Sequence, residues 1–204
     1  MNARLRQNLP ALIPFLILVI ICAILLLIAD HLTGDRIEAQ QRAAQLRLIS
    51  EVMSLPHDND LLTDRITIKA QEPFVTGAPI TVYRARNNGQ PTGLVFMPVP
   101  AKGYNGLIEL AVGVAYDGEL TGVRVHAHRE TPGLGDQVHQ DRSDWIQGFN
   151  GLSLQNTALD AWGVRSDGGR FDQISGATIT PRGIIKAVRN TLDYYALHRN
   201  ELYR

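Results

Sequence analysis

Cysteine is almost absent from this 204-residue chain, where Cys22 stands alone. A single thiol excludes an internal disulfide framework, and the thiolate clusters that hold iron–sulfur centres or structural zinc are missing too. Neither charge is in excess: Lys+Arg 20 and Asp+Glu 20 give a formal net charge of +0. A protein that tracks a phosphate backbone carries a basic surplus, so nucleic acid is not an expected partner. Lysine is scarce, limited to Lys69, Lys102 and Lys186, and nothing in the sequence explains the preference for arginine. No Gly-x-Gly-x-x-Gly lies at a strand–helix junction, and there is no nucleophile elbow and no His-Glu-x-x-His. These absences remove the sequence basis for dinucleotide binding, serine-hydrolase chemistry and zinc proteolysis within the chain.

The hydrophobic residues, by contrast, are concentrated. Leu9 to Ala29 contains no charged and no strongly polar side chain. At ~1.5 Å per residue, a helix of this length crosses the ~30 Å hydrocarbon core of a bilayer. A cleaved signal peptide has a shorter apolar region and a small-x-small site, and neither is found here. Cys22 follows Ile20 and Ile21, not the small residue of a lipoprotein signal. The reading is therefore a retained transmembrane helix over 9–31, with Pro10 and Pro14 near its start, where a helix tolerates proline best. Arg4 and Arg6 precede the span while Asp30, Asp35 and Glu38 follow it. The positive-inside tendency then keeps residues 1–8 cytoplasmic and sends the rest of the chain outward, into the periplasm of a bacterial inner membrane.

Beyond the span the pattern changes. Ile37, Ala44, Leu48 and Val52 recur at helical spacing, which predicts a juxtamembrane helix from Thr33 to Met53, and 32–56 forms a helix and linker. Pro56 closes it by pushing Leu55 out of the helical region. His57-Asp58-Asn59-Asp60 reads as an exposed loop. Residues 57–204 suit one outward-facing domain with a sizeable core. Strands are predicted at Ile66–Lys69, Ile80–Arg86, Leu94–Val99, Leu107–Val114 and Gly122–His128, with turn signals at Asn87-Asn88-Gly89-Gln90 and Tyr116-Asp117-Gly118-Glu119. A short helix is expected around Asp141–Phe149, and a long one from Thr180-Pro181 to about Arg199, with Thr180 as its N-cap. The fold class is α+β: a transmembrane helix, antiparallel strands and a C-terminal helix.

The segment richest in chemistry is Asp172-Gln173-Ile174-Ser175-Gly176-Ala177-Thr178-Ile179-Thr180-Pro181-Arg182. It delivers small residues and two threonines to a helix start, whose unpaired N–H groups and partial positive charge suit an anion, above all a phosphate. Arg182 in the first turn opposes the helix dipole, and an anion held nearby would offset that. An ordinary capped helix behind a glycine turn accounts for the same residues. Two further features stay open at this level. His126-x-His128-x-Glu130 would share one strand face, as a metal site or as a polar wall. Trp145 and Trp162 suit core or interface positions, and Asp136 either the site or a loop cap.

Asp172-x-x-Ser175-Gly176-Ala177-Thr178 resembles the flavinylation motif of the FMN-binding domain family. A second block, Gly103-Tyr104-Asn105-Gly106 followed by His128-Arg129-Glu130-Thr131-Pro132-Gly133-Leu134-Gly135, resembles the segment that lines the flavin side of that fold. The resemblance covers roughly Ile80 to Tyr195. It implies FMN joined through its phosphate to the hydroxyl of Thr178, by a separate Mg-dependent flavin transferase that takes the FMN moiety from FAD. Thr180 is a rival acceptor by chemistry, but sits two residues late for the motif. The resemblance also implies flavin contacts at Asp172, Ser175, Gly176, Ala177, His128, Glu130, Thr131, Leu134, Gly135 and Tyr104. Tyr104 either stacks on the ring or fills the core. The architecture is similar to that of flavin-bearing subunits of Rnf/Rsx-type membrane complexes, where electrons move between NADH and ferredoxin with cation translocation. The corresponding subunit of sodium-translocating NADH:quinone reductases is usually longer. Other membrane subunits are the implied partners, and the implied role is that of an electron carrier, with no independent catalysis expected from this chain alone. A non-redox periplasmic scaffold and a free-standing reductase are the alternatives, distinguished by absence of covalent flavin and by activity of the isolated domain.

Overall fold

The computed structural model describes residues 3–69, 73–74 and 77–204, so residues 1 and 2 of the expected cytoplasmic segment lie outside the described residues. The chain divides into two compact units, 1–45 and 46–204. The first is helical throughout its described residues and belongs to helix α1, Ala3–Val52. From Pro14 onward α1 is long and apolar enough to cross a membrane, and its apolar window is not buried in the protein. The sequence reading separates a spanning helix from a second helix at Thr33–Met53; the backbone instead continues as one helix to Val52. Gly34 does not break it, because an isolated glycine costs a helix only about 1 kcal/mol. Pro10 and Pro14 accordingly lie inside the helix and not at its start.

The second unit is built on an antiparallel meander of five strands in sequence order: β1 (Arg65–Lys69), β2 (Pro79–Asn87), β3 (Gln90–Lys102), β4 (Leu107–Ala115) and β5 (Leu120–Ala127). Asn88 (φ 50) and Gly89 (φ 75) turn β2 into β3 with both central residues left-handed, the geometry that matches the twist of a tight hairpin. Helix α2 (Ile179–Leu202) packs on β3 and β4. Its apolar stripe, Ile184, Ile185, Val188 and Leu192, is buried against Leu94, Phe96, Leu110 and Val112. Each such side chain stabilises the domain by about 1.5–3 kcal/mol. The opposite sheet face is also covered. Val95 and Met97 of β3, with Tyr83 and Ala111, pack with Ile49, Val52 and Met53 at the end of α1 and with Leu61 and Leu62. A sheet buried on both faces explains why β3 reads as a continuous apolar run and does not alternate.

The end of α1 is seated in a notch. Gly113 and Gly122 face each other across β4 and β5. A Cβ on Gly113 would collide with the Val52 carbonyl oxygen, which accepts the Thr121 hydroxyl, and one on Gly122 would lie 3.0 Å from the Val52 Cα. Gly113→Ala is expected to lower the stability of the domain by about 2 kcal/mol, the scale of overpacking a well-filled core. Urea unfolding of both chains checks this, and an unchanged midpoint would show that the notch is not tight.

Between β5 and α2 the chain is irregular, with short 3-10 turns at Gly135–Val138, Trp145–Phe149, Leu159–Ala161 and Arg165–Asp167. The helix expected around Asp141–Phe149 is one of these turns. Its Trp145 packs edge-on against Phe149 and tilted against Phe171, with centroids 5.6 and 5.9 Å away. Trp162 also packs on Phe171. Both tryptophans therefore belong to the core margin.

Candidate functional site

Three segments distant in sequence meet at the N-terminus of α2: the turn joining β3 to β4, the stretch that leaves β5, and the approach to the helix. Between them lies an open cleft of about 250 Å³ lined by Tyr104, Glu130, Thr131, Leu134, Gly135, Gly176, Ala177, Thr178 and Ile179. Glu130 organises it. The residue is 6% exposed, and Oε1 accepts the backbone N–H groups of Tyr104 (2.9 Å) and Asn105 (3.0 Å). Oε2 accepts the hydroxyl of Thr180. One buried carboxylate thus ties the β3–β4 turn to the first turn of α2, with every bond charge-assisted. Asn105 adds a link from its Nδ2 to the Thr131 hydroxyl, 3.1 Å away.

This arrangement corrects two expectations. Thr180 is not the N-cap: it lies fully buried in the first turn with its hydroxyl given to Glu130, and Thr178 occupies the cap position. Pro181 still falls where its missing N–H leaves nothing unpaired. Nor do His126, His128 and Glu130 share one strand face, because β5 ends at Ala127. His126 is exposed and Glu130 turns inward. His128 does not line the cleft; its Nδ1 accepts the Glu130 N–H at 3.2 Å, and its ring lies 6.2 Å from that of His139. Among the described residues no group of three or more His, Cys, Asp or Glu is placed to hold a metal.

Thr178 itself is exposed, and its side chain makes no capping hydrogen bond. Gly176 precedes it with φ 76, a left-handed conformation that other residues rarely adopt, and a Cβ there would lie 2.9 Å from Leu134 Cδ2. Three large apolar side chains stand open around the cleft: Tyr104 at 70%, Leu134 at 42% and Ile179 at 43%. Tyr104 is therefore not a core residue. Ile179 is the one lining residue that no motif signals, and its exposure follows from its place at the helix start, beside the threonine.

The remaining motif positions sit outside the cleft. Ser175 is exposed. Asp172 pairs with Arg165 on the surface, Nε to Oδ1 at 3.0 Å, while its backbone oxygen accepts the Trp145 indole N–H at 2.7 Å. Asp136 faces Arg142 at 3.5 Å and takes no part in the cleft. Arg182 has its anion within the chain. Its Nε and NH2 donate to the two carboxylate oxygens of Asp167 at 2.6 and 2.8 Å. The Arg182 fork holds the Asp167 carboxyl below its ordinary range, and the same contact raises the guanidinium.

The FMN-binding domain family matches residues 103–193, which takes in every residue of the cleft. The G subunit of the ion-translocating oxidoreductase complex of Vibrio cholerae is 39% identical over 84% of this chain and 82% of its own length. The protein of the same name from Vibrio atlanticus is 40% identical over 83% and 81%. The chain belongs to this family of ion-translocating oxidoreductase complex G subunits. Among solved structures, Shewanella oneidensis NqrC is 24% identical with a TM-score of 0.49, over 71% of this chain and 74% of that one. As a G subunit, the chain presents its motif threonine with no capping bond from its side chain, at the edge of a cleft of mixed apolar and polar lining.

Proposed function

We propose that this G subunit is a membrane-anchored electron carrier, with FMN held covalently through a phosphoester on Thr178. The observation that carries the reading is the state of Thr178, an exposed hydroxyl at a helix N-terminus with no cap bond to give up. The surroundings suit the group. The first-turn N–H groups of α2 face the phosphate side. Gly176 leaves the approach open, and the exposed faces of Tyr104, Leu134 and Ile179 match a flat apolar ring.

In the attachment step the Thr178 oxygen forms a bond to the flavin-side phosphorus of FAD, the pyrophosphate bond breaks, and AMP leaves with the bonding pair. The hydroxyl proton passes to the separate Mg-dependent transferase. FMN, once bound, accepts two electrons and releases them singly. Tyr104, Leu134 and Ile179 would hold the ring through their exposed faces. Glu130 holds the wall of the cleft and leaves the ring to the apolar side chains.

The partners in this reading are other membrane subunits of an Rnf/Rsx-type complex that couples electron transfer between NADH and ferredoxin to cation translocation. Helix α1 is the single span, with the N-terminus cytoplasmic and the cleft on the periplasmic side of the inner membrane. The full chain is to be exported in a host that carries the transferase, then denatured and precipitated with acid. Flavin colour that stays with the protein supports the reading. Colour released to the supernatant, or none in either fraction with the transferase verified on a control, contradicts it.

A further inference from the structure

Arg182 has no part in the reading above, yet its position is an odd one for a cation. It lies in the first turn of α2, where the helix dipole disfavours positive charge, and no acidic residue shares that turn. Side chains on a helix lean toward its N-terminus, so a residue at i+4 reaches back over residue i. Arg182 does so: its NH1 donates to the backbone oxygen of Thr178 at 3.2 Å. The other two bonds go to Asp167, from Nε and NH2. A guanidinium has five N–H groups, so one on NH1 and one on NH2 remain for a further acceptor. Both Arg182 and Asp167 are 44% exposed at the side chain, and an ion pair so open to water is weak enough to share its cation.

We propose that Arg182 is the counter-charge for the phosphodiester at Thr178, and that Asp167 stands in for that anion while the threonine is unmodified. The inference rests on attachment at Thr178. The phosphodiester brings a single negative charge to the residue whose carbonyl Arg182 already touches, and its free oxygens are acceptors of the geometry a guanidinium fork recognises. The cation that opposes the helix dipole is thereby matched, first by Asp167 and then by the phosphate. Arg182 acts as a positioning residue, and Asp167 competes with the phosphate for it.

The test is the rate of covalent flavin incorporation into the purified full chain by the transferase and FAD, read as fluorescence per chain on denaturing gels. Arg182→Gln is expected to slow incorporation by about five- to tenfold, the effect of losing one charge-assisted contact to phosphate. Arg182→Lys keeps the charge but not the fork and is expected to recover part of the rate lost in Arg182→Gln, while Asp167→Asn frees the cation and raises the rate by about two- to threefold. An unchanged rate in Arg182→Gln overturns the proposal. So does Asp167→Asn slowed as much as Arg182→Gln with no rescue by lysine, since that pattern marks a pair that only staples the loop. A natural chain that takes up no flavin from a verified transferase fails differently: it overturns the attachment reading itself.

Discussion

Thr178→Ala leaves the exported chain folded but dark under ultraviolet light after denaturing electrophoresis, while the natural chain glows. The loss is complete because the substitution removes the only atom at that position able to form the ester. Stability changes little. The Thr178 side chain is exposed and makes no capping bond, so its removal costs roughly 0.5 kcal/mol or less, below the usual worth of a helix cap. Thr180, two residues on, does not rescue the variant: its hydroxyl is buried and committed to Glu130. Fluorescence retained in Thr178→Ala would move the attachment elsewhere.

Glu130→Ala is expected to be the most damaging single change in the domain. It strips the partner from two backbone N–H groups and one hydroxyl at once, all facing a residue that is 6% exposed. Buried donors left without an acceptor cost about 1–3 kcal/mol each, with the lower end applying to groups that relax toward the cleft. A total near ~3–4 kcal/mol is therefore expected from urea unfolding, along with a large loss of flavin incorporation as the β3–β4 turn separates from α2. Glu130→Gln is the informative companion. Its amide oxygen still accepts from Tyr104 and Asn105, and its NH2 group donates to the Thr180 oxygen, so the cost falls to about 1 kcal/mol. Equal damage from both variants would show that the negative charge, and not the bonding pattern, holds the cleft together.

The sequence and the structure agree where a strong local signal stands alone. Asn88-Gly89 announces its hairpin because both positions need a left-handed backbone that few other pairs accept. The apolar stripe of α2 is legible for the same reason, since its period is set within the helix. Agreement ends where a distant partner decides. Thr178 and Thr180 are both plausible caps in an isolated segment, and only Glu130, 50 residues earlier, shows which hydroxyl is consumed. Asp167 and Arg182 are 15 residues apart across irregular backbone with no period to follow. The family resemblance makes most of the cleft's residues readable, but it misses Ile179 and adds His128, Ser175 and Asp172, which lie outside, and the way Glu130 binds the parts together is not readable at all.

The most direct test is tandem mass spectrometry of the tryptic peptide Phe171–Arg182, which contains Ser175, Thr178 and Thr180 together. The chain should be exported in a host with an active transferase and digested without prior removal of flavin. The expected result is a peptide heavier by FMN less one water, with fragment ions that place the whole addition on Thr178. An unmodified peptide, or fragments that place the addition on Ser175 or Thr180, would contradict the account.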